Sequence, residues 1–323
     1  MTAWKETVGG RRALTILRSR PFLTVAIVAG VWIAASFASR GFGAYGHLRY
    51  LVELAAVIGL VAAGQTFVVI AGGIDLSVAA IVTVSAVSLP LLSWQADPTG
   101  LTAVLAVLAL TTTIGLVNGL GVALLRVHPM IMTLAMATFL QGLLIIIAGG
   151  SAVTAENPLV RWLGNARPAG IPAGVLLWLG VSVIVLTAMH ATSFGARLFA
   201  MGANPLAAAL SGVPVASTTL AVYGISGFTS GLAGVLVLGM NGQGYVGIGD
   251  PYLLASIAAV VLGGTSILGG LGTYAGTIPG AILLVTITAL ITVVNASPGW
   301  RSILFGSLIL GLLLLSGREQ ARR

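Results

Sequence analysis

Long apolar stretches follow one another along almost the whole chain, and short polar or glycine-rich segments separate them. Within each stretch the apolar residues run continuously instead of alternating with polar ones, a pattern typical of membrane helices and not of a membrane β-barrel. Backbone groups inside a bilayer must bond within their own segment, which also favours helices. The pattern predicts ten membrane-spanning helices, at residues 22–39, 50–71, 77–94, 101–125, 130–149, 171–190, 216–238, 252–264, 273–294 and 300–316. The predicted fold class is therefore all-α, a polytopic membrane protein.

The composition agrees with this prediction and excludes several kinds of chemistry. Of the 323 residues, 58% are hydrophobic and only 7% are charged, which places the chain in a membrane. The sequence contains no cysteine, so it has no disulfide, no thiolate metal site and no cysteine nucleophile. Three histidines, His47, His128 and His190, are dispersed near span ends without metal-ligand spacing. We therefore expect no bound metal and no catalytic residue.

Basic residues give the chain a formal charge of +8 and are concentrated in its two tails. With both termini in the cytoplasm, ten of the 15 basic residues lie inside, so the positive-inside rule predicts this orientation. The predicted parts are a cytoplasmic tail (1–21), a membrane domain (22–316) with a cytoplasmic loop at 191–215, and a second tail (317–323). A long basic segment precedes the first span, which favours a retained signal anchor over a cleaved signal peptide. Because no basic soluble domain exists, we expect contact with membrane lipid and not with nucleic acid.

Glycines occur in two different patterns. The GxxxG pairs Gly115–Gly119, Gly227–Gly231 and Gly276–Gly280 predict closely packed helices. The segments "GGIDLS" (72–77) and "GGTSILGGLG" (263–272) are denser, and we expect them to break helices. Interrupted segments in the two halves of a transporter often mark its translocation path, and a weak likeness between the halves suggests an internal repeat. The resulting pore or gate candidates are Gly72, Gly73, Asp75, Ser77, Gly263, Gly264, Thr265 and Ser266.

Asp75 is the most unusual of these candidates, because an ionisable group in an apolar segment is costly. One interpretation is a helix cap, in which its carboxylate accepts the backbone N–H of Ser77 or Val78 and starts the third span. The other is a direct contact with a transported substrate. We favour the cap, and a cap beside a pore can also serve a gate.

Enzyme functions find little support in the sequence. "GIGD" (247–250) matches the GxGD signature of intramembrane aspartyl proteases, but such enzymes need two carboxylates within hydrogen-bonding reach. Asp250 precedes Pro251 in a loop predicted to lie outside, so chance explains the match better. A Walker A loop needs a lysine after its glycines, and Lys5 is the only lysine, so this chain is not itself a P-loop ATPase. An ion-coupled secondary transporter of a small polar solute remains an alternative, although such carriers typically use several intramembrane carboxylates.

Four segments resemble a known family, in the family's order and along essentially the whole chain. They are "GGIDLSV" (72–78), "HPMIMTL" (128–134, with Pro129, Thr133 and Leu134), "AMGANPLAAALSGV" (200–213) and "SIAAVVLGGTSILGGLGTYAGTIPGAIL" (256–283). The chain is similar to ribose-type permeases of bacterial ABC (ATP-binding cassette) importers. The resemblance implies an inner-membrane permease that moves a monosaccharide or related small polyol by alternating access.

The family resemblance also implies partners. These are a second permease subunit, either the same chain or a sister, cytoplasmic ATPase subunits that bind ATP and Mg²⁺, and a periplasmic or lipid-anchored sugar-binding protein. The permease itself then binds no cofactor. Departures from the family pattern at Ala79, Gln141 and residues 253–255 leave the architecture intact and affect the choice of substrate.

By the same resemblance, segment 200–213 is the coupling helix that docks in a groove of the ATPase. Asn204 suits the cap of this helix and Pro205 its first position. The predicted coupling residues are the positions that match the family motif and Pro205. They are Gly202, Asn204, Pro205, Ala207, Ala208, Ser211 and Gly212.

Overall fold

The computed structural model describes residues 20–38, 41–92, 97, 99–149, 151–154, 156–293, 297, 299–300, 302–307 and 310–311. In these residues the elements are α1 (Arg20–Ala38), α2 (Tyr45–Ile70), α3 (Val78–Leu92), α4 (Leu101–Ala123), α5 (Pro129–Ala148), β1 (Val153–Thr154), α6 (Pro158–Asn165), a 3₁₀ turn (Pro168–Gly170), α7 (Ala173–His190), α8 (Ser193–Ala203), α9 (Pro205–Leu210), α10 (Val215–Asn241), β2 (Gln243–Gly244), α11 (Pro251–Leu262) and α12 (Tyr274–Val293). The chain is thus predominantly helical, as the apolar pattern predicts.

Each of the first nine predicted spans contains one of these helices. Of the tenth, 300–316, residues 300, 302–307 and 310–311 are helical, and the others lie outside the described residues. The second tail, most of the first tail and residues 39, 93–94 and 294 also lie outside them. Six helices, α2, α4, α5, α7, α10 and α12, are long and apolar enough to cross a membrane, whereas α3 and α11 are shorter apolar helices. The number of crossings and the side on which the termini lie stay predictions.

Helices α2 and α10 form the centre of the bundle. In the most apolar 18-residue windows of these helices, 89% and 78% of the residues are buried, compared with 17% in α5. A helix that is apolar on every side is stable only when its whole surface is removed from water, either in protein or in lipid. Helix α10 packs against α2, α3 and α4, while α5 contacts α3 and α4 along one side and leaves its other sides exposed.

The GxxxG pairs lie at close helix crossings. A Cβ atom added at Gly115 of α4 would meet the carbonyl oxygen of Tyr223, and one added at Gly227 of α10 would meet the carbonyl oxygen of Thr111. A Cβ at Gly280 of α12 would likewise meet a carbonyl oxygen of α11. Only glycine allows backbones to approach this closely, so the predicted role of the three pairs in packing is confirmed.

Short elements join the helices at the end of the bundle where α2 begins. Residues 158–165 form α6, and β1 pairs antiparallel with β2, with Val153 opposite Gly244. The ion pair between Arg167 and Glu53 (3.6 Å) lies at this same end. After β2 the chain runs along α3, where Gly249 N–H donates a hydrogen bond to the hydroxyl of Thr83 (3.1 Å). These elements connect the loops on this side into one surface.

Candidate gate and coupling site

The first glycine segment ends α2 with a Schellman motif. Gly72 has a φ of 85°, a left-handed conformation that favours glycine. Its N–H donates to the carbonyl of Val69, and the N–H of Gly73 donates to the carbonyl of Val68, both at 2.9 Å. The helix break predicted at this position is present, and residues 71–77 form the non-helical α2–α3 break.

Asp75 lies completely buried within this break and is surrounded by hydroxyl and amide groups. Its Oδ1 accepts hydrogen bonds from the backbone N–H (2.9 Å) and the hydroxyl (2.6 Å) of Ser77, and its Oδ2 accepts one from the hydroxyl of Ser226 (2.7 Å). The hydroxyl of Ser77 in turn accepts a hydrogen bond from Asn118 Nδ2 (2.9 Å). Asp75 therefore links the α2–α3 break directly to α10, and Ser77 extends this link to α4.

The predicted hydrogen bond from Ser77 N–H to Asp75 is present (2.9 Å), but Asp75 lies two residues before the cap position of the helix. Helix α3 begins at Val78, and its first helical hydrogen bond runs from Ile81 N–H to the Ser77 carbonyl (2.9 Å). Ser77 thus occupies the cap position, and Asp75 holds Ser77 through an Asx-type turn. The roles of Asp75 and Ser77 in a pore or gate stay predictions.

Two buried polar atoms beside this network have no hydrogen-bond partner among the described residues. They are Oδ1 of Asn118 and the hydroxyl of Tyr223. A Cβ atom at Gly73 would lie 2.8 Å from that hydroxyl, so Gly73 leaves room for Tyr223. The gate candidates predicted from the sequence do not include Asn118, Tyr223 or Ser226, although each is a polar residue inside an apolar span, which is itself a signal of function.

The geometry gives no support to protease chemistry. The hydrogen-bond partners of Asp75 are Ser77 and Ser226, and Asp250 is not among them. Asp250 is exposed, in a segment that packs along α3. The described part of the chain therefore shows no carboxylate pair of the kind that shares a proton.

The second glycine segment repeats the backbone arrangement of the first. Gly264 has a φ of 89°, its N–H donates to the Val261 carbonyl (2.9 Å), and Thr265 N–H donates to the Val260 carbonyl (3.2 Å). This is again a Schellman motif, and it ends α11 as predicted. Residues 263–272 form the α11–α12 loop, which a hydrogen bond from Ser266 N–H to the Leu271 carbonyl closes (2.8 Å).

The predicted coupling segment, 200–213, forms the end of α8, all of α9 and the turn that follows. Asn204 caps α9, since its Oδ1 accepts the N–H of Ala207 (3.0 Å), and Pro205 takes the first helical position, as predicted. Gly212, with a φ of 83°, ends α9. We call α8 and α9 together the coupling element.

The selected coupling residues fall into two groups. Asn204, Pro205, Ala207, Ser211 and Gly212 are exposed, whereas Gly202 and Ala208 are buried.

Two leucines outside the predicted coupling residues are also exposed on the coupling element. They are Leu206 (72% exposed) and Leu210 (83%), and they lie on one face of α9. Their spacing of four residues in a loop between spans is the signal that could have identified them.

The two breaks and the coupling element meet at one end of the bundle, which we call the coupling end. The N–H of Gly270 donates to the carbonyl of Ile70 (2.9 Å), and Gly202 packs against both groups. The structure thus brings one coupling candidate, Gly202, and one gate candidate, Gly72, to the same contact through Gly269, although the three lie far apart in the sequence.

The protein is a predominantly helical bundle whose helices break at two glycine turns beside an exposed helical element, and paired helix breaks of this kind are typical of membrane transporters. Residues 48–313 match the family described as "Branched-chain amino acid transport system / permease component". The chain belongs to this family and is a permease component.

Curated relatives agree over most of the chain. The chain is 32% identical to the ribose import permease protein RbsC of Escherichia coli (strain K12), over 98% of this chain and 99% of that protein. It is 31% identical to the L-arabinose transport system permease protein AraH of the same strain, over 91% of this chain and 89% of that protein. It is 34% identical to the galactose/methyl galactoside import permease protein MglC of Haemophilus influenzae, over 68% of each chain. The family resemblance noted in the sequence is confirmed.

Proposed function

We propose that this chain is the membrane-spanning subunit of a bacterial ABC importer and that it moves a monosaccharide or a related small polyol across the inner membrane. The observation that carries the proposal is the similarity to sugar import permeases, which for the ribose permease RbsC extends over nearly the full length. The three relatives described above are named for ribose, L-arabinose and galactose or methyl galactoside, so a monosaccharide is the substrate class common to them.

In this proposal the chain crosses the membrane ten times and has both termini in the cytoplasm. The coupling end then lies at the cytoplasmic face, and the surface that carries α6, β1 and β2 lies outside. The excess of basic residues on the predicted inner side supports this orientation. The contact between the coupling element and the two helix breaks supports placing these three segments on the same side.

The ATPase subunit docks on the coupling element. Exposed Leu206 and Leu210 offer apolar side chains to a groove of the ATPase, and exposed Arg197 offers a positive charge close by. ATP and Mg²⁺ bind to the ATPase and not to this chain. Asn204 and the glycine turn at Gly212 hold the short α9 helix in shape for docking.

The other partners are a second permease subunit and a sugar-binding protein. The second permease, which is a copy of this chain or a sister chain, completes the pore. A periplasmic or lipid-anchored protein delivers the sugar to the outer surface. Alternating access then opens and closes the path at the two breaks. The gate candidates are Gly72, Gly73, Asp75 and Ser77 of the α2–α3 break and Gly263, Gly264, Thr265 and Ser266 of the α11–α12 loop.

Reconstitution tests this proposal. The permease would be purified with the ATPase and the exported binding protein encoded beside it, placed in proteoliposomes, and assayed with radiolabelled ribose, L-arabinose and galactose. We expect ATP-dependent uptake of at least one sugar, and none when the binding protein is absent or when the ATPase carries an inactivating substitution. Uptake by the chain alone under an ion gradient would instead show a secondary transporter and would overturn the proposal.

A further inference from the structure

Three backbone segments from distant parts of the sequence meet at one hydrogen bond at the coupling end. Two of them form the bond, and the third packs on it. The carbonyl of Ile70 belongs to the last residue of α2, where helix carbonyls lack partners within the helix. Gly270 N–H, from the α11–α12 loop, donates to it at 2.9 Å. The end of α2 and the α11–α12 loop are therefore directly bonded.

Gly202 of α8 packs directly on this hydrogen bond. A Cβ atom at Gly202 would meet the Ile70 carbonyl oxygen and would lie 2.7 Å from the Gly270 nitrogen. A Cβ at Gly269 would lie 2.8 Å from the Gly202 carbonyl oxygen and 3.0 Å from Cα of Gly72. All these contacts join backbone to backbone, so no flexible side chain is present to absorb a displacement of one segment against another.

The opposite side of the coupling element borders an open pocket. This pocket, of about 340 Å³, lies between the coupling element and the ends of α2, α4 and α10. Met201 and Pro205 line it on the side of the coupling element, and Ala71, Val122 and Thr219 line the other sides. At the pocket the Thr219 hydroxyl touches the Met201 sulfur (3.5 Å), which is a contact between side chains, whereas the contacts to α2 and the α11–α12 loop join backbone to backbone.

We propose that α8, the end of α2 and the α11–α12 loop form one rigid junction, which moves as a unit against α4 and α10 when the ATPase displaces the coupling element. In this way a single movement reaches both helix breaks at once. Gly202, Gly269 and Gly270 are the positioning residues of the junction, because any side chain there would separate the three backbones. The inference rests on the proposed function, since it needs an ATPase that acts on the coupling element.

A disulfide cross-link tests whether α8 must move against α10, because the chain has no cysteine of its own. The pair is Met201→Cys with Thr219→Cys, which joins α8 to α10 where the two native side chains touch at 3.5 Å. Cross-linking in proteoliposomes is measured by loss of maleimide-reactive thiols, and each single-cysteine variant serves as the control for the oxidant.

The disulfide between positions 201 and 219 should lower ATP-driven uptake by about tenfold or more, because it fixes the junction to α10, and reduction should restore uptake. Full uptake with the 201–219 disulfide formed would overturn the inference.

A wedge variant tests the junction from the other direction. Gly202→Ala places a methyl group against the Ile70 carbonyl, and we expect the amount of sugar moved per ATP hydrolysed to fall about tenfold, while the complex still hydrolyses ATP. Gly180→Ala is the matched control, because a Cβ at Gly180 meets no atom within 4 Å. An unchanged transport ratio in Gly202→Ala would contradict the inference. If even the wild-type complex takes up no sugar, the proposed function fails and not the junction.

Discussion

Asp75 illustrates how a carboxylate is accommodated inside an apolar protein. Three donors, from Ser77 and Ser226, surround it, and Asn118 extends the network to a third helix. The hydrogen bond to Ser77 could be predicted from the sequence because it is local, two residues along the chain. The bonds to Ser226 and from Asn118 could not, because they depend on how the helices come together.

The first prediction at the residue scale compares two replacements of Asp75. Asp75→Ala removes the acceptor of three buried donors and should lower the free energy of unfolding by about 3 kcal/mol. Asp75→Asn should cost about 1 kcal/mol, because its amide oxygen can still accept from Ser77 and its amide nitrogen can donate to the Ser226 hydroxyl. Thermal unfolding in detergent measures both, with Ser226→Ala as a control that removes one bond. If the asparagine variant were as unstable as the alanine variant, the negative charge itself would be required.

At the scale of elements, glycine pairs and an Asn-Pro pair predicted where α2 and α11 end and where α9 begins. The two Gly-Gly breaks and the Asn-Pro start of α9 all have the predicted geometry. The same Asn-Pro signal occurs at Asn157, which caps α6 by accepting the N–H of Val160 (3.1 Å). The apolar pattern predicts no helix in this loop, so α6 is an element that the Asn-Pro signal could have identified.

A second prediction concerns the start of α4, where Asp97 accepts the backbone N–H groups of Thr99, Gly100 and Thr102. Hydrogen bonds from Thr102 and Thr99 hold the pKa of Asp97 below its ordinary value. A lowered pKa stabilises the fold above the ordinary value of about 4, and this contribution is lost as the pH falls below it. Asp97→Asn should therefore lower the unfolding temperature at pH 7, and the difference from wild type should disappear in acid.

The control for this experiment is Glu156→Gln, which changes an exposed carboxylate on the same side of the bundle. It should leave the unfolding temperature at pH 7 unchanged. A difference between wild type and Asp97→Asn that stays constant across the acid range would contradict the electrostatic explanation. It would point instead to the shape of the side chain.

At the scale of the whole molecule, the predicted coupling segment has two faces, one exposed and one packed against the bundle. Its exposed face carries Leu206 and Leu210, and its buried face carries Gly202, which contacts both helix breaks. The family motif includes both groups without separating them. Only packing distinguishes the residues that face a partner from those that face the bundle.

The third prediction tests the exposed face. The double variant Leu206→Asp with Leu210→Asp should weaken binding of the ATPase about tenfold or more, because two apolar side chains of the proposed docking surface become charged. Both leucines are exposed, so the unfolding temperature of the permease should not change. Co-purification of the ATPase measures the loss. Tyr45→Asp is the control, since Tyr45 is 74% exposed at the opposite end of α2 and should retain the ATPase. Normal retention by the double variant would place the docking surface elsewhere.

The sequence alone determined the helical membrane architecture, the two breaks, the GxxxG packing faces and the cap of α9, because each depends on apolar periodicity or on a few consecutive residues. The tertiary structure decided that Ser226 and Asn118 stabilise Asp75, and that Gly202 packs on the bond between Ile70 and Gly270. These contacts join residues far apart in the chain. Their geometry is fixed by the relative rotation and depth of whole helices, which depend on the packing of every side chain at the crossings and are not encoded in any local segment.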